Sequence, residues 1–149
     1  MLYIITMYTF LKNIVENIYN FNAVSDTRFY YLSLIEESDG WSIHGLWPQN
    51  SKTDYPQFCH DVTFDISLLN PIMTNLKKSW RSDRGPDSTF WEHEWKKHGS
   101  CMFNDSNEFN YFNTALSLFE LVSKDGIIDK YKKGTGALIP FDLNFNIMK

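Results

Sequence analysis

The densest chemistry in the chain lies in Phe90-Trp91-Glu92-His93-Glu94-Trp95-Lys96-Lys97-His98-Gly99-Ser100-Cys101. Wound as a helix, this run puts Phe90, His93, Glu94, Lys97, His98 and Cys101 on one face by the i, i+3, i+4 rule. Trp91 and Trp95 fall on a neighbouring face and read as core anchors. Two histidines, a carboxylate and an ammonium in one patch suit acid/base work. Imidazole titrates near neutrality, so one ring can accept a proton while another donates one. Glu94, one turn before His98, can orient that ring or hold its charge, and Lys97 supplies positive charge where an anionic transition state builds. The blander reading is a helix laced with salt bridges that carries its histidines incidentally.

A second constellation is Ile43-His44-Gly45-Leu46-Trp47-Pro48. A histidine at a strand end, followed by Gly, Trp and Pro, gives an imidazole on a rigid turn beside an aromatic plane; the plainer alternative is a core hairpin with a hydrogen-bonded histidine. Metal chemistry fits less well. His93-Glu94 opens like a zinc-protease helix, but His98 follows at i+5 rather than i+4, which takes the two rings off the common face that zinc needs. Cys59-His60 together with His98 and Cys101 could nominally form a Cys₂His₂ set. That spacing matches no standard finger, and it would consume the best acid/base histidine. No metal and no cofactor are expected.

The elements that must position these residues follow from patterning. Phe29 to Leu34 is β-rich and aromatic, Glu36 to Gly40 reads as a turn, and Trp41 to Ile43 as a short return strand, so the two predict a hairpin. Asn70-Pro71 has the signature of a helix start, with the helix running to about Trp80. Ser88 can cap a second helix over Thr89 to about Lys97, stopped at Gly99. Glu108 to Val122 carries Phe109, Phe112, Leu116, Phe119 and Leu121, a third helix packing on the core. Thr9 to Tyr19 places Phe10, Leu11, Ile14, Val15 and Ile18 at helical spacing. The tail from Gly134 mixes Gly, Pro and Asn with short apolar pairs and reads as irregular, with room for one closing strand. The pattern is α+β, strands early and helices late.

Composition bounds the rest. The 149 residues suit one domain spanning 1–149, and a 43% hydrophobic, 17% aromatic chain with seven glycines and five prolines excludes disorder and low-complexity repeats. A net charge of −4 excludes a generic nucleic-acid sleeve, though not a small cationic site acting on RNA. No uninterrupted apolar run reaches the roughly 18 residues that a membrane span needs. Residues 1–25 form either an N-terminal helix or a weak signal-like segment, apolar from Met1 to Phe10 but without a basic leader.

Together the two constellations closely resemble the two active-site signatures of the ribonuclease T2 family of acid, transferase-type endoribonucleases. His44 to Pro48 matches the first signature intact, and Phe90 to Cys101 matches the second at every defining position. Tyr111 to Leu118 resembles the helix that follows, and the resemblance extends over about 29–140. It implies an antiparallel central sheet with helices packed on it. It implies a catalytic pair, with His98 as general base and His44 as general acid, His93 binding the scissile phosphate, and Glu94 with Lys97 steadying the transition state. Trp47 and Tyr55 would stack on the base 5′ of the cut, Gln49 stands where many members carry an acidic or other polar residue, and Phe90 is a candidate for the next base site. Cys59 and Cys101 match a disulfide the family commonly keeps. The implied partner is single-stranded RNA, with no DNA cleavage, in a monomer that is secreted or endolysosomal/vacuolar; the sequon Asn104-Asp105-Ser106 fits a secretory route. The chain lacks further family cysteines and stops before the region where members add core strands, so the expectation is a shortened member. The alternative is a catalytically degenerate relative that binds RNA or a protein partner.

Overall fold

The first strand, β1 (Phe29–Glu37), sends Tyr30, Leu32 and Leu34 into the core, while Tyr31, Ser33 and Ile35 face the other way. This is the period of two that a pleated strand imposes. The structure, a computed structural model, describes residues 7, 11–15 and 25–149. β2 (Gly40–Gln49) returns antiparallel to β1 after a two-residue turn, with Gly40 opposite Glu37. Gly40 has φ 130°, a conformation that L side chains rarely adopt, so the tight turn needs a residue without Cβ. The hairpin expected from the sequence is present, but β2 runs on well past Ile43. His44 to Pro48 therefore lie within the sheet rather than on a turn. The register slips between Ser33 and Leu34: Ser33 pairs with Gly45 and Leu34 with Ile43. His44 is left as the extra residue of a β-bulge.

The sheet is antiparallel with strand order β2-β1-β4-β3, where β3 is Lys132–Lys133 and β4 is Gly136–Phe141. The tail read as irregular thus supplies an inner strand, and the strands are not confined to the early part of the chain. Ala137, Ile139 and Phe141 are buried opposite Leu34, Leu32 and Tyr30. Only three alternating core residues, interrupted by Pro140, carry that strand, which is too short a pattern to stand out from the sequence.

Helices cover one face of the sheet. A 3-10 helix over Ile66–Ile72 leads into α1 (Met73–Ser79), and the Asp65 side chain caps it by accepting from the Ser67 backbone N–H. The turn therefore starts ahead of Asn70, and Pro71 lies inside it rather than at its first position. α2 (Asp87–Lys97) begins after Pro86, so Ser88 is inside the helix and does not cap it. α3 (Glu108–Val122) has the predicted bounds, with the Asn107 side chain accepting from the Asn110 N–H. It buries Tyr111, Phe112, Ala115, Leu118 and Val122 along one stripe. Phe109, Leu116 and Phe119 pack beside the core half-buried, but Leu121 is exposed. Residues 11–15 are helical, with Leu11, Ile14 and Val15 exposed; the rest of the helix expected over Thr9 to Tyr19 lies outside the described residues.

Candidate active site

On a regular strand, residues three apart point to opposite faces. The bulge at His44 removes that constraint: His44 and Trp47 share a side, with ring centroids 5.1 Å apart, edge to face. Ile43 and Leu46, also three apart, both enter the core. The His44 ring lies 5.6 Å from Phe90 of α2. Behind the bulge, the Trp80 indole donates to the His44 carbonyl (3.1 Å) and the Trp91 indole donates to the Trp80 carbonyl (2.7 Å). A buried indole N–H must find an acceptor, and here that requirement fixes the backbone of the bulge.

α2 sorts the second constellation differently from the single face expected of it. Glu94 and His98 turn inward with Trp91 and Trp95, all buried, while His93 is exposed and Phe90 and Lys97 sit at the boundary. The helix stops at Lys97, His98 caps it, and Cys101 follows in a separate 3-10 turn, Gly99–Cys101. Cys101 is bonded to Cys59, 42 residues earlier, with Cα atoms 5.1 Å apart. On the chain-entropy account, closing such a loop stabilises the fold by about 4 kcal/mol. The bridge ties the segment after β2 to the end of α2, helped by the Phe58 N–H donating to the Lys97 carbonyl. It also removes both thiols from the nominal Cys₂His₂ set.

Glu94 stands between the two histidines. Its Oε1 is 4.0 Å from His44 Nε2, its Oε2 is 3.9 Å from His98 Nε2, and the Trp47 indole donates to Oε2 at 2.9 Å. Trp47 also stacks on the His98 ring, centroids 5.3 Å apart at 29°. Gly45 is what permits this approach: a Cβ there would fall on Glu94 Oε2 and Trp47 Nε1. Gly99 does the same for the Trp95 ring. Both signatures thus follow their histidine with glycine for a steric reason. Across the core, the Tyr111 hydroxyl donates to the Leu46 carbonyl (3.1 Å) and lies 3.5 Å from that of Glu94, joining β2 to α2.

Burial sets the electrostatics. It raises the Glu94 carboxyl to about 7, against the opposing pull of the Trp47 hydrogen bond and the Lys97 charge. It lowers His98 to about 3, with Lys97, His93 and His44 adding to the effect. His44 is lowered too, mainly by burial, with Lys97 and His93 contributing and the Asp83 charge opposing. His98 Nδ1 is buried, and among the described residues it has no hydrogen-bond partner. Burial thus disfavours the charged forms of both imidazoles, of His98 most, and of the carboxyl between them.

Of the other expected site residues, Tyr55 is exposed, 6.4 Å from the His98 ring. His93 lies edge to face with Phe58, centroids 6.2 Å apart. Gln49 is not brought to the cluster: it is buried at the end of β2 opposite Phe29, and among the described residues no hydrogen bond joins its side chain to the cluster. Four residues at the site went unread in the sequence: Trp80, Tyr111, Asp83 and Phe58. Trp80 and Tyr111 signalled only as polar-tipped aromatics needing partners, and Asp83 acts across a loop. Phe58 is exposed at φ 49°, an unusual conformation for a non-glycine residue.

The comparisons agree with this geometry. The chain is 36% identical over 86 residues to Ribonuclease DdI of Dictyostelium discoideum, an overlap covering 56% of this chain and 39% of that one. It is 38% identical over 94 residues to Ribonuclease 1 of Arabidopsis thaliana, covering 60% and 41%. It therefore spans about two-fifths of the length of these curated relatives. Among solved structures, an RNase-related protein from Calystegia sepium superposes with a TM-score of 0.68 at 21% identity, covering 83% of this chain and 90% of that one, a likeness of fold. The model of the Ribonuclease T2 family matches residues 18–132, a span that contains both histidine motifs and the carboxylate between them. This chain, with its bulged His44 strand disulfide-stapled to the His98 helix, belongs to the ribonuclease T2 family.

Proposed function

We propose that the protein is a metal-independent endoribonuclease that cleaves single-stranded RNA by transesterification. The observation that carries this reading is Glu94 lying 4.0 Å and 3.9 Å from two imidazoles contributed by separate motifs. RNA brings its own nucleophile, so the enzyme needs a base, an acid and stabilisation of charge on phosphorus. His98, the more strongly depressed ring, stays neutral and accepts the 2′-hydroxyl proton as that oxygen attacks phosphorus. His44 donates a proton to the departing 5′-oxygen as the P–O5′ bond breaks, leaving a 2′,3′-cyclic phosphate. A carboxylate beside a phosphate would repel it; burial keeps Glu94 protonated below about 7, where it can donate a hydrogen bond to a phosphoryl oxygen. Lys97 supplies positive charge, His93 would bind the scissile phosphate, and Trp47, Tyr55 and Phe90 would contact bases; Gln49, buried at the end of β2, would not. DNA, lacking the 2′-hydroxyl, would not be cut.

The protein would act as a monomer. The disulfide and the exposed sequon at Asn104 support a secreted or endolysosomal/vacuolar location, since such bridges persist in oxidising compartments. Among the described residues no helix is long and apolar enough to cross a membrane. The test is incubation of purified protein with single-stranded RNA in excess EDTA. Cleavage to cyclic-phosphate ends that the chelator does not affect is expected. RNA that is shifted in a gel but left intact would assign the chain to a binding role instead.

A further inference from the structure

The face of the sheet turned away from the helices is a groove of about 1080 Å³. Its floor is Tyr31, Ile35, Leu138 and Pro140, residues that the pleat directs opposite to the core set on β1 and β4. Its lining includes five lysines and no aspartate or glutamate among the described residues, in a chain whose acidic groups outnumber its basic ones. Lys132 is held by Glu36 at 2.6 Å, whereas among the described residues no ion pair engages Lys52, Lys130 or Lys133. Lysine on an edge strand such as β3 commonly blocks unwanted pairing. Lys52 and Lys130 lie off that strand yet line the same groove, so edge protection does not account for the set. The lining also includes His44 of the candidate site, and Ser51 and Thr53 of the loop that leads to Tyr55. The groove and the candidate active site therefore share His44.

We propose that this groove is a track for the RNA strand beyond the cleaved phosphodiester, with backbone phosphates on Lys52, Lys130 and Lys133 and bases against Tyr31 and the apolar floor. The proposal rests on the ribonuclease reading for its ligand. A charged rim beside aromatic surface is how single strands are held without regard to sequence, and the groove gives long substrates contacts that a dinucleotide cannot make.

The test compares wild type with the triple variant Lys52→Ala/Lys130→Ala/Lys133→Ala in the full chain. One readout is binding of an uncleavable 2′-O-methyl RNA 12-mer across a salt series, and the other is turnover of a dinucleotide. Each phosphate contact on a single strand contributes about 0.7 to the salt slope, so losing three should lower its steepness by about 2. The 12-mer should bind the variant at least tenfold more weakly at low salt, with dinucleotide kcat/KM within about twofold of wild type. An unchanged slope and affinity would overturn the track, as would equal losses on the 12-mer and the dinucleotide. Lysine-dependent capture of phosphatidylserine vesicles without lysine-dependent RNA binding would assign the groove to a membrane surface and overturn it too. If the 12-mer binds as expected but wild type cuts no RNA, the track stands and the catalytic reading fails.

Discussion

His44 is the extra residue of a bulge on an edge strand, with 37% of its side chain exposed, whereas His98 caps the end of α2 with 6% exposed. Both face Glu94 at nearly the same distance, so their distance from that carboxyl does not separate them. Burial does. His98 is pushed down to about 3, while His44, more open and facing the Asp83 charge, is lowered with that charge opposing. One residue type is thus lowered to different degrees by two kinds of local structure. A bulge re-aims a strand side chain toward solvent, and a helix end packed under an indole hides its ring.

The largest test of that contrast is removal of either ring. His44→Ala and His98→Ala should each lower kcat by about 10²–10⁴-fold in initial-rate assays on RNA, the usual contribution of a general acid or base. His93→Ala, outside the pair, should act more moderately and mainly on KM. Next comes Gly45→Ala, which leaves every candidate catalytic side chain in place but adds a Cβ where Glu94 and Trp47 meet. Displacing positioned groups by an ångström can cost about 10²-fold, so a comparable loss of activity is expected; wild-type rates would show that the close approach is not needed.

A smaller effect separates Glu94 from His98 through stability. Glu94, raised from its ordinary value to about 7, contributes stability that is fully present below pH 4.5 and lost as pH rises through 7. His98 does the reverse: its contribution is present above pH 6.5 and lost as pH falls toward 3. The difference in unfolding free energy between Glu94→Gln and wild type should therefore shift in favour of the variant between pH 4.5 and 8, by about 3 kcal/mol. Denaturant titrations at the two pH values measure it, and a difference that does not change with pH would mean the carboxyl is ionised at both.

Much of this arrangement was legible in the residues themselves. The bounds of α3 follow from the apolar residues spaced along Glu108 to Val122, and the hairpin follows from the turn residues between two aromatic strands. Both signatures were visible because catalysis needs particular residue types at fixed spacing. The bulge was not, since it exists only in the pairing of β1 with β2, and local sequence read His44 as lying at a strand end. The face of α2 was misjudged because Glu94 and His98 share the buried stripe of Trp91 and Trp95, which leaves His93 exposed, and because Cys101 lies in a separate 3-10 turn. β4 escaped because its alternation is short and broken by Pro140; its strand character comes from the open edge of β1 beside it.

The central claim, two histidines poised in opposite states, is tested most directly by the pH dependence of kcat/KM on a dinucleotide with EDTA present throughout. In the proposed mechanism the productive enzyme has His98 neutral and His44 protonated. Its fraction falls on the acid side as His98 takes up a proton near its lowered value of about 3, and on the alkaline side as His44 loses one below its ordinary 6.5. A bell with its optimum below neutrality is expected, with an alkaline limb that His44→Ala abolishes along with most of the activity. A rate still climbing above pH 8 would contradict it, because no neutral His44 could then be serving as the acid.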